Sequence, residues 1–475
     1  MRLLLKAPAQ QRGGLMADAN GFDALGEKLG GRLVRPDDGD YDAVRSVWNG
    51  MIDRRPAAIA QCRTREDVVH SLEFVRAERL PLSVRCGGHG VAGSAVCDGG
   101  LMIDLSPMNH VRVDPDSKTA TVAGGAQLGE LDRATQAHGL AVTAGVDPTT
   151  GVGGLTLGGG TGFLARKLGL TIDSLVGAEI VLADGSVVEA SESEHPDLFW
   201  AIRGGGGNFG IVTRFDFKLH EIGPQLATAQ IFYPFGSAGK VLRQYRDFMA
   251  EAPDEVGCFA LLVPLPPLEA FPSELHGKTA LAIVASYAGD VERGEQLLEQ
   301  LASFAEPLAA IMQPMAYVDL QSAFKDAAPA GQRYYWKAHF VNEVPDDLIE
   351  LVIDRARELP GSFSNTFFEP MGGAIARVGE TETAFANRDA QFIISMSAGW
   401  SDPAKDEELI ALTRDFFDAV APYATGGVYT NYMDFDEKER VRTAYGENYE
   451  RLRKVKARYD PDNLFRMNQN IPPEG

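Results

Sequence analysis

The sequence predicts an α+β protein in two parts, a glycine-rich first part and a second part made of an antiparallel sheet backed by helices. Three observations lead there. Strand-like and helix-like runs mix along the first 222 residues without the regular alternation of a doubly wound sheet. A composition shift at His220 to Pro224 then closes the glycine-rich region. From about Leu226 to Thr425 apolar runs alternate with charged amphipathic segments. A chain of 475 residues exceeds the usual limit of one core. The expected units are residues 1–222, 223–425 and a C-terminal segment, 426–475, that returns to the first part.

The elements follow in order. Thr64-Arg65-Glu66-Asp67 has the form of a capping box, opening a helix whose Val68, Leu72 and Val75 share one face. Pro81 to Arg85, Leu101 to Ser106 and Thr119 to Gly125 read as short strands. Gln127 to His138 is an amphipathic helix ended by Gly139, a residue suited to the C′ position. Glu179–Leu182 and Ser186–Glu189 flank Ala183-Asp184-Gly185, which signals a hairpin. Ile211 to Leu219 alternates as a strand does. In the central region Thr279–Tyr287 and Ala390–Trp400 are strands, and Asp290–Ala302, Asp346–Glu358 and Asp406–Ala419 are helices. Glu437 to Arg458 reads as one charged helix, stopped by Tyr459-Asp460-Pro461.

Composition excludes several function classes. With 66 acidic and 45 basic residues the net charge is −21, so phosphate backbones are repelled and nucleic-acid binding is not expected. Four irregularly spaced cysteines make neither a disulfide framework nor a metal site. The first residues, MRLLLKAPAQQRGG, have too short an apolar core for a secretory signal, and no run is long enough to span a membrane. A cytoplasmic location is the expectation.

Three glycine-rich segments carry the functional signal: Val84 to Gly93, Gly145 to Gly162 and Arg203 to Phe215. Glycine lets a backbone approach a phosphate closely. The first segment sets His89 in such a turn, directly after a strand. Two segments match GxGxxG formally, Gly88 to Gly93 and Gly205 to Gly210, but neither is followed by the helix that a nicotinamide site needs. Together the segments read as a cradle for a flavin dinucleotide.

The run from Pro81 to Leu219, with Tyr429–Phe435 (YTNYMDF) and Tyr459–Pro473 (YDPDNLFRMNQNIPP), resembles the berberine bridge enzyme-like group of FAD-linked oxidases, within the vanillyl-alcohol oxidase superfamily, and the bacterial hydroxynicotine oxidases. The resemblance implies a PCMH-type two-part FAD-binding domain beside a substrate domain. It implies that His89 is bonded to the flavin 8α-methyl group, with the turn of Arg85, Cys86, Gly87, Gly88 and Gly90 holding the pyrophosphate and Ser94 close behind. Many relatives add a second link from a cysteine in G-x-C-P-x-x-G-V-G-G. Here that segment is Gly145-Val146-Asp147-Pro148-Thr149-Thr150-Gly151-Val152-Gly153-Gly154, so Asp147 stands in the cysteine's place and a single link, through His89, is expected. Gly158, Gly160, Gly210, Ile211, Asn468 and Asn470 complete the implied FAD site. Thr150 holds the family position tied to oxygen reactivity, and its small side chain points to an oxidase.

Such an enzyme removes a hydride from a carbon bearing OH or NH to flavin N5 while a base takes the proton, and O2 then reoxidises the flavin with formation of H2O2. The resemblance makes Tyr432 the leading base and Tyr429 the reserve. A phenol of ordinary pKa near 10 needs a nearby cation to work at neutral pH, and Lys337 and Arg388 are the candidates. Some relatives place a carboxylate on the strand that here runs Phe392 to Trp400; Ser395 occupies that position, so a carboxylate-assisted mechanism is not expected. The partners are a small organic substrate and O2. A flavin-dependent dehydrogenase with another acceptor and a non-catalytic flavin-binding protein are the alternatives.

Overall fold

The computed structural model describes residues 19–265, 267, 271–358, 361 and 363–475. The leader-like stretch MRLLLKAPAQQRGG lies outside them. The first part holds two sheets. In the first, β1 (Arg32–Val34), β2 (Ala58–Gln61), β3 (Leu82–Arg85) and β4 (Leu101–Asp104) lie in the order β1-β2-β4-β3, with β2 and β3 parallel to β4. The helix Arg65–Glu78 covers it, opened by a capping box in which Thr64 accepts from Asp67 N and Asp67 accepts from Thr64 N. Val68, Leu72 and Val75 are fully buried against the sheet.

The second sheet takes β5 (Val111–Asp114) and β6 (Thr119–Ala123). After the short β7 (Leu140–Ala141) it continues with β8 (Leu175–Val181), β9 (Val187–Ala190) and β10 (Ile211–Lys218), in the antiparallel order β5-β6-β10-β8-β9. β7 pairs instead with β11 (His220–Glu221) at the passage to the second part. The β8–β9 hairpin turns on Gly185, whose φ of 89° is open to glycine at no steric cost.

The second part is one seven-stranded antiparallel sheet of β12 (Gln225–Pro234), β13 (Val256–Pro264), β14 (Thr279–Tyr287), β15 (Ala309–Ala316), β16 (Arg333–Val341), β17 (Asn365–Pro370) and β18 (Phe392–Trp400). Their order is β15-β12-β14-β13-β17-β18-β16. Side chains alternate between faces with period two. One face (Ala229, Ile231, Cys258, Ala260, Leu281, Ile283) packs on the helices Ala238–Glu251, Val291–Ala302, Asp346–Glu358 and Asp406–Val420. The other face looks toward the first part. Among the described residues no helix is long and apolar enough to cross a membrane.

One expected element is broken. Glu437 to Arg458 is not a single helix: a turn at Lys438–Arg440 leads to Val441–Tyr445, then a turn at Gly446–Asn448, and a second helix runs Tyr449–Tyr459. Gly446 at φ 49° permits the break. The break lets the buried Asn448 amide donate to Glu380 O at 2.8 Å and Thr383 O at 3.2 Å, tertiary bonds that charge periodicity does not announce.

Candidate active site

A cavity of about 1350 Å³ separates the glycine-rich turns from the free face of the seven-stranded sheet. Its walls come from segments far apart in the chain. The turn after β3 supplies Cys86, Gly87, Gly88, His89, Gly90 and Ser94; the second segment supplies Gly145, Val146, Asp147, Thr150, Gly153, Gly154 and Gly158; Gly210 and Ile211 lead into β10. Asn468, Tyr429 and Tyr432 come from the C-terminal segment. Three residues expected there do not line it. The Arg85 guanidinium turns away to the buried carboxylate of Asp104, at 2.6 and 3.0 Å, because that charge has no access to water. Gly160 is behind the wall, its N–H donating to Tyr429 Oη at 2.9 Å. Asn470 also falls outside the lining.

The glycines have two separate uses. At Gly87 and Gly151 the two turns touch each other: a Cβ on Gly87 would fall 2.3 Å from Gly151 N, so both positions must be bare for the walls to meet. Gly90 and Gly154 instead face open space, with nothing within 4 Å of an added Cβ. Neither GxGxxG copy is followed by a helix: Gly93 leads through a loop to β4, and Gly210 opens β10.

His89 is held on two sides. Its ring stacks on Trp48 at 5.3 Å and 22°, and Trp48 in turn stacks on Tyr334 at 4.1 Å and 11°. Its Nε2 lies 2.6 Å from the Thr149 hydroxyl, which donates to Asp147 Oδ1 at 2.7 Å. Burial lowers the imidazole pKa, and Asp147 works against that shift.

At the sheet side sits a group that the sequence reading missed. Glu369, on β17, is 2% exposed and lines the cavity. Tyr432 donates its hydroxyl to Glu369 Oε2 at 2.9 Å. Burial raises the Glu369 pKa to about 7, against the pull of the hydrogen bond from Tyr432. The same burial, reinforced by Glu369, drives the Tyr432 phenol well above its ordinary value. Tyr432 therefore meets a carboxyl where the sequence pointed to a cation. Lys337 is engaged with Asp436 at 2.5 Å and Glu437 at 3.3 Å, and Arg388 with Asp173 at 2.7 Å. Tyr429 accepts from Gly160 N and from Asn431 Nδ2, and is likewise raised by burial.

Ser395 accepts from Trp336 Nε1 and pairs across the sheet with Phe367, two residues before Glu369. A carboxyl is thus present at the cavity, on the strand beside Ser395. Its one sequence sign was a lone acid in the apolar run Phe367-Phe368-Glu369-Pro370. Trp336 stacks on Tyr432 at 5.0 Å and 17°, and Phe367 meets it edge-on. A buried carboxyl, a phenol and a flat aromatic wall converge on one end of the cavity.

The cavity fits a flavin dinucleotide on its own terms. It is long enough to touch three glycine segments, it leaves the side-chain positions of Gly90 and Gly154 open, and Asn468 presents a buried Oδ1 without a protein donor. Fold and site define a flavin-dependent oxidoreductase. An FAD binding domain family matches residues 56–191 and a berberine and berberine-like family matches 428–472. The FAD-linked oxidoreductase YgaK of Bacillus subtilis, itself uncharacterised, is 32% identical over 94% of this chain and 98% of its own length. The structure of 6-hydroxy-D-nicotine oxidase from Arthrobacter nicotinovorans superposes with a TM-score of 0.85 at 28% identity, covering 94% of this chain and 98% of that one. A glucooligosaccharide oxidase of Acremonium strictum, described with a 6-S-cysteinyl, 8α-N1-histidyl FAD, gives 0.84 at 25% identity over 96% of this chain and all of the other. The chain belongs to the berberine-like FAD-linked oxidoreductases.

Proposed function

We propose that this protein is an FAD-linked oxidase of compact, ring-bearing alcohols or amines, carrying its flavin through one covalent bond to His89. The buried Glu369–Tyr432 pair carries the reading. FAD, when bound, supplies the two-electron acceptor for hydride. The turns at Cys86–Gly90 and Gly145–Gly154, with Gly210, Ile211 and Asn468, would hold it. The ionised Glu369 takes the substrate O–H or N–H proton, through the Tyr432 hydroxyl with which it shares a hydrogen bond. A carboxyl whose pKa lies near 7 is suited to that exchange at neutral pH.

The wall opposite argues for the substrate class. Phe232, Phe259, Leu261, Val284, Trp336 and Phe367 present an apolar, largely aromatic surface, and Lys405 is the one lysine or arginine lining the cavity among the described residues. A polyhydroxylated sugar chain would lose its water there without recovering hydrogen bonds. An aromatic or heterocyclic substrate, neutral or cationic beside Glu369, fits better, as in the hydroxynicotine oxidase relative and unlike the oligosaccharide oxidase. Thr150, small and at the cavity wall, leaves room for O2 as the acceptor of electrons.

The test is an anaerobic panel of hydroxylated heterocycles, secondary amines and oligosaccharides. Bleaching of the flavin band by a heterocycle or amine, with peroxide on readmitting air, is expected. Reduction by oligosaccharides alone, or reduced flavin that persists in air, would overturn the reading.

A further inference from the structure

We propose that Asp147 and Thr149 form a proton relay that draws the proton from His89 as its ring bonds to the flavin. The inference rests on the covalent attachment read above and concerns how this chain achieves it. The Thr149 hydroxyl owns a single proton, and it is spent on Asp147 Oδ1 at 2.7 Å. What remains at Thr149 Oγ1 is a lone pair, 2.6 Å from His89 Nε2. Nε2 is therefore the donor and carries the imidazole proton, which leaves the lone pair on Nδ1. No hydrogen bond engages Nδ1 among the described residues, and Trp48 holds the ring plane from one face.

Asp147 is itself anchored, since its Oδ1 also accepts from Thr149 N at 2.8 Å. Its direct approach to the ring is longer, 3.9 Å to Nε2, so the hydroxyl is the bridge. The residue that stands in place of the second flavin link thus serves the first.

Attachment forms one bond, from Nδ1 to the flavin 8α carbon, and breaks one C–H bond at that carbon. The imidazole gives up its Nε2 proton to Thr149 Oγ1 as the Thr149 proton passes to Asp147. Two protons and two electrons are released in total, and dioxygen takes them up as hydrogen peroxide. The balance needs no other reagent.

The experiment compares wild type with Asp147→Asn, Thr149→Val and Thr149→Ser, and reads acid-precipitable flavin against time in purified protein supplied with FAD. Total bound flavin, read before acid, reports folding and cofactor binding separately. Wild type and Thr149→Ser are expected to retain flavin through acid, whereas Asp147→Asn and Thr149→Val bind FAD but attach it at least about a hundredfold more slowly, the scale of a lost proton acceptor. Attachment at the wild-type rate in both Asp147→Asn and Thr149→Val overturns the relay while leaving covalent attachment intact. Equal loss in Thr149→Ser and Thr149→Val also overturns it, because the serine keeps the hydroxyl. Wild-type flavin entirely soluble in acid removes the covalent reading and the relay together.

Discussion

At the scale of single residues, the proposed chemistry turns on Glu369. Replacing it by Gln keeps shape and an acceptor for the Tyr432 hydroxyl but removes the base, and kcat/KM is expected to fall by about 10² to 10⁴. The wild-type rate should climb as pH rises through about 7, where the carboxyl ionises, and Glu369→Gln should flatten that limb; a pH–rate profile on a reducing substrate decides it. Stability should move the other way. Burial raises this carboxyl from 4.5 to about 7, so the folded state binds the proton more tightly than the unfolded one, and stability is lost as pH rises across that window. Glu369→Gln escapes this penalty and should be more stable by about 3 kcal/mol at pH 8, with no gain below pH 4.5, as urea titrations at the two pH values would read. An equal stability difference at both would refute the burial argument. The glycine turns and His89 were legible in the sequence because each is a local string. Glu369 was not, since its role depends on the alignment of β17 with β18 and on a tyrosine 63 residues further on.

At the scale of elements, the turn that carries Tyr432 is tied down from several sides. Asn431 Nδ2 donates to Leu155 O at 3.0 Å, Gln469 Nε2 to Thr430 O at 3.0 Å, and Trp336 N to Asp434 Oδ2 at 3.1 Å. Lys337, 4% exposed on β16, neutralises Asp436 and Glu437 just after this turn. Lys337→Met would leave Arg440 as the one cation on Glu437 and Arg414 as the one cation on Asp436 among the described residues. The expected cost is about 3 kcal/mol, the lower end for breaking a buried pair. Tyr432 should lose its placement as well, so kcat drops more than stability alone explains. A urea midpoint that does not move, with normal turnover, would refute it. Helices with local signals read correctly from the sequence: Asp290 caps Val291–Ala302 through Arg293 N, and Asp346–Glu358 keeps its predicted bounds. The segment after Glu437 did not, because Gly446 breaks the helix and Asn448 bonds carbonyls 65 and 68 residues away.

At the scale of the whole molecule, the order of the seven strands was not legible, since strand composition fixes which face is apolar and not which neighbour a strand takes. One tie between the parts is the C-terminal segment, which touches the sheet through Tyr432 and then crosses to the first part. There Lys456 and Asp460, both fully buried, pair at 2.6 Å. Lys456 Nζ also donates to Asn208 O at 2.8 Å and Phe465 O at 2.9 Å, and Asp460 accepts from Leu464 N and Phe465 N. One ammonium thus fastens the glycine-rich segment, the last helix and the run that carries Asn468. Lys456→Met would leave the buried Asp460 carboxylate without its counter-charge and the Asn208 carbonyl without its ammonium donor, at a cost of about 3–5 kcal/mol. Because the lost bonds all lie beside the cavity wall at Gly207 to Ile211, the damage should be felt first by the cofactor part. In wild type, flavin fluorescence and tryptophan emission should report one urea transition; in Lys456→Met the flavin signal should change first, at lower urea. Coincident transitions at the wild-type midpoint would mean that the strap is dispensable and that the two parts are held together by the cavity walls themselves.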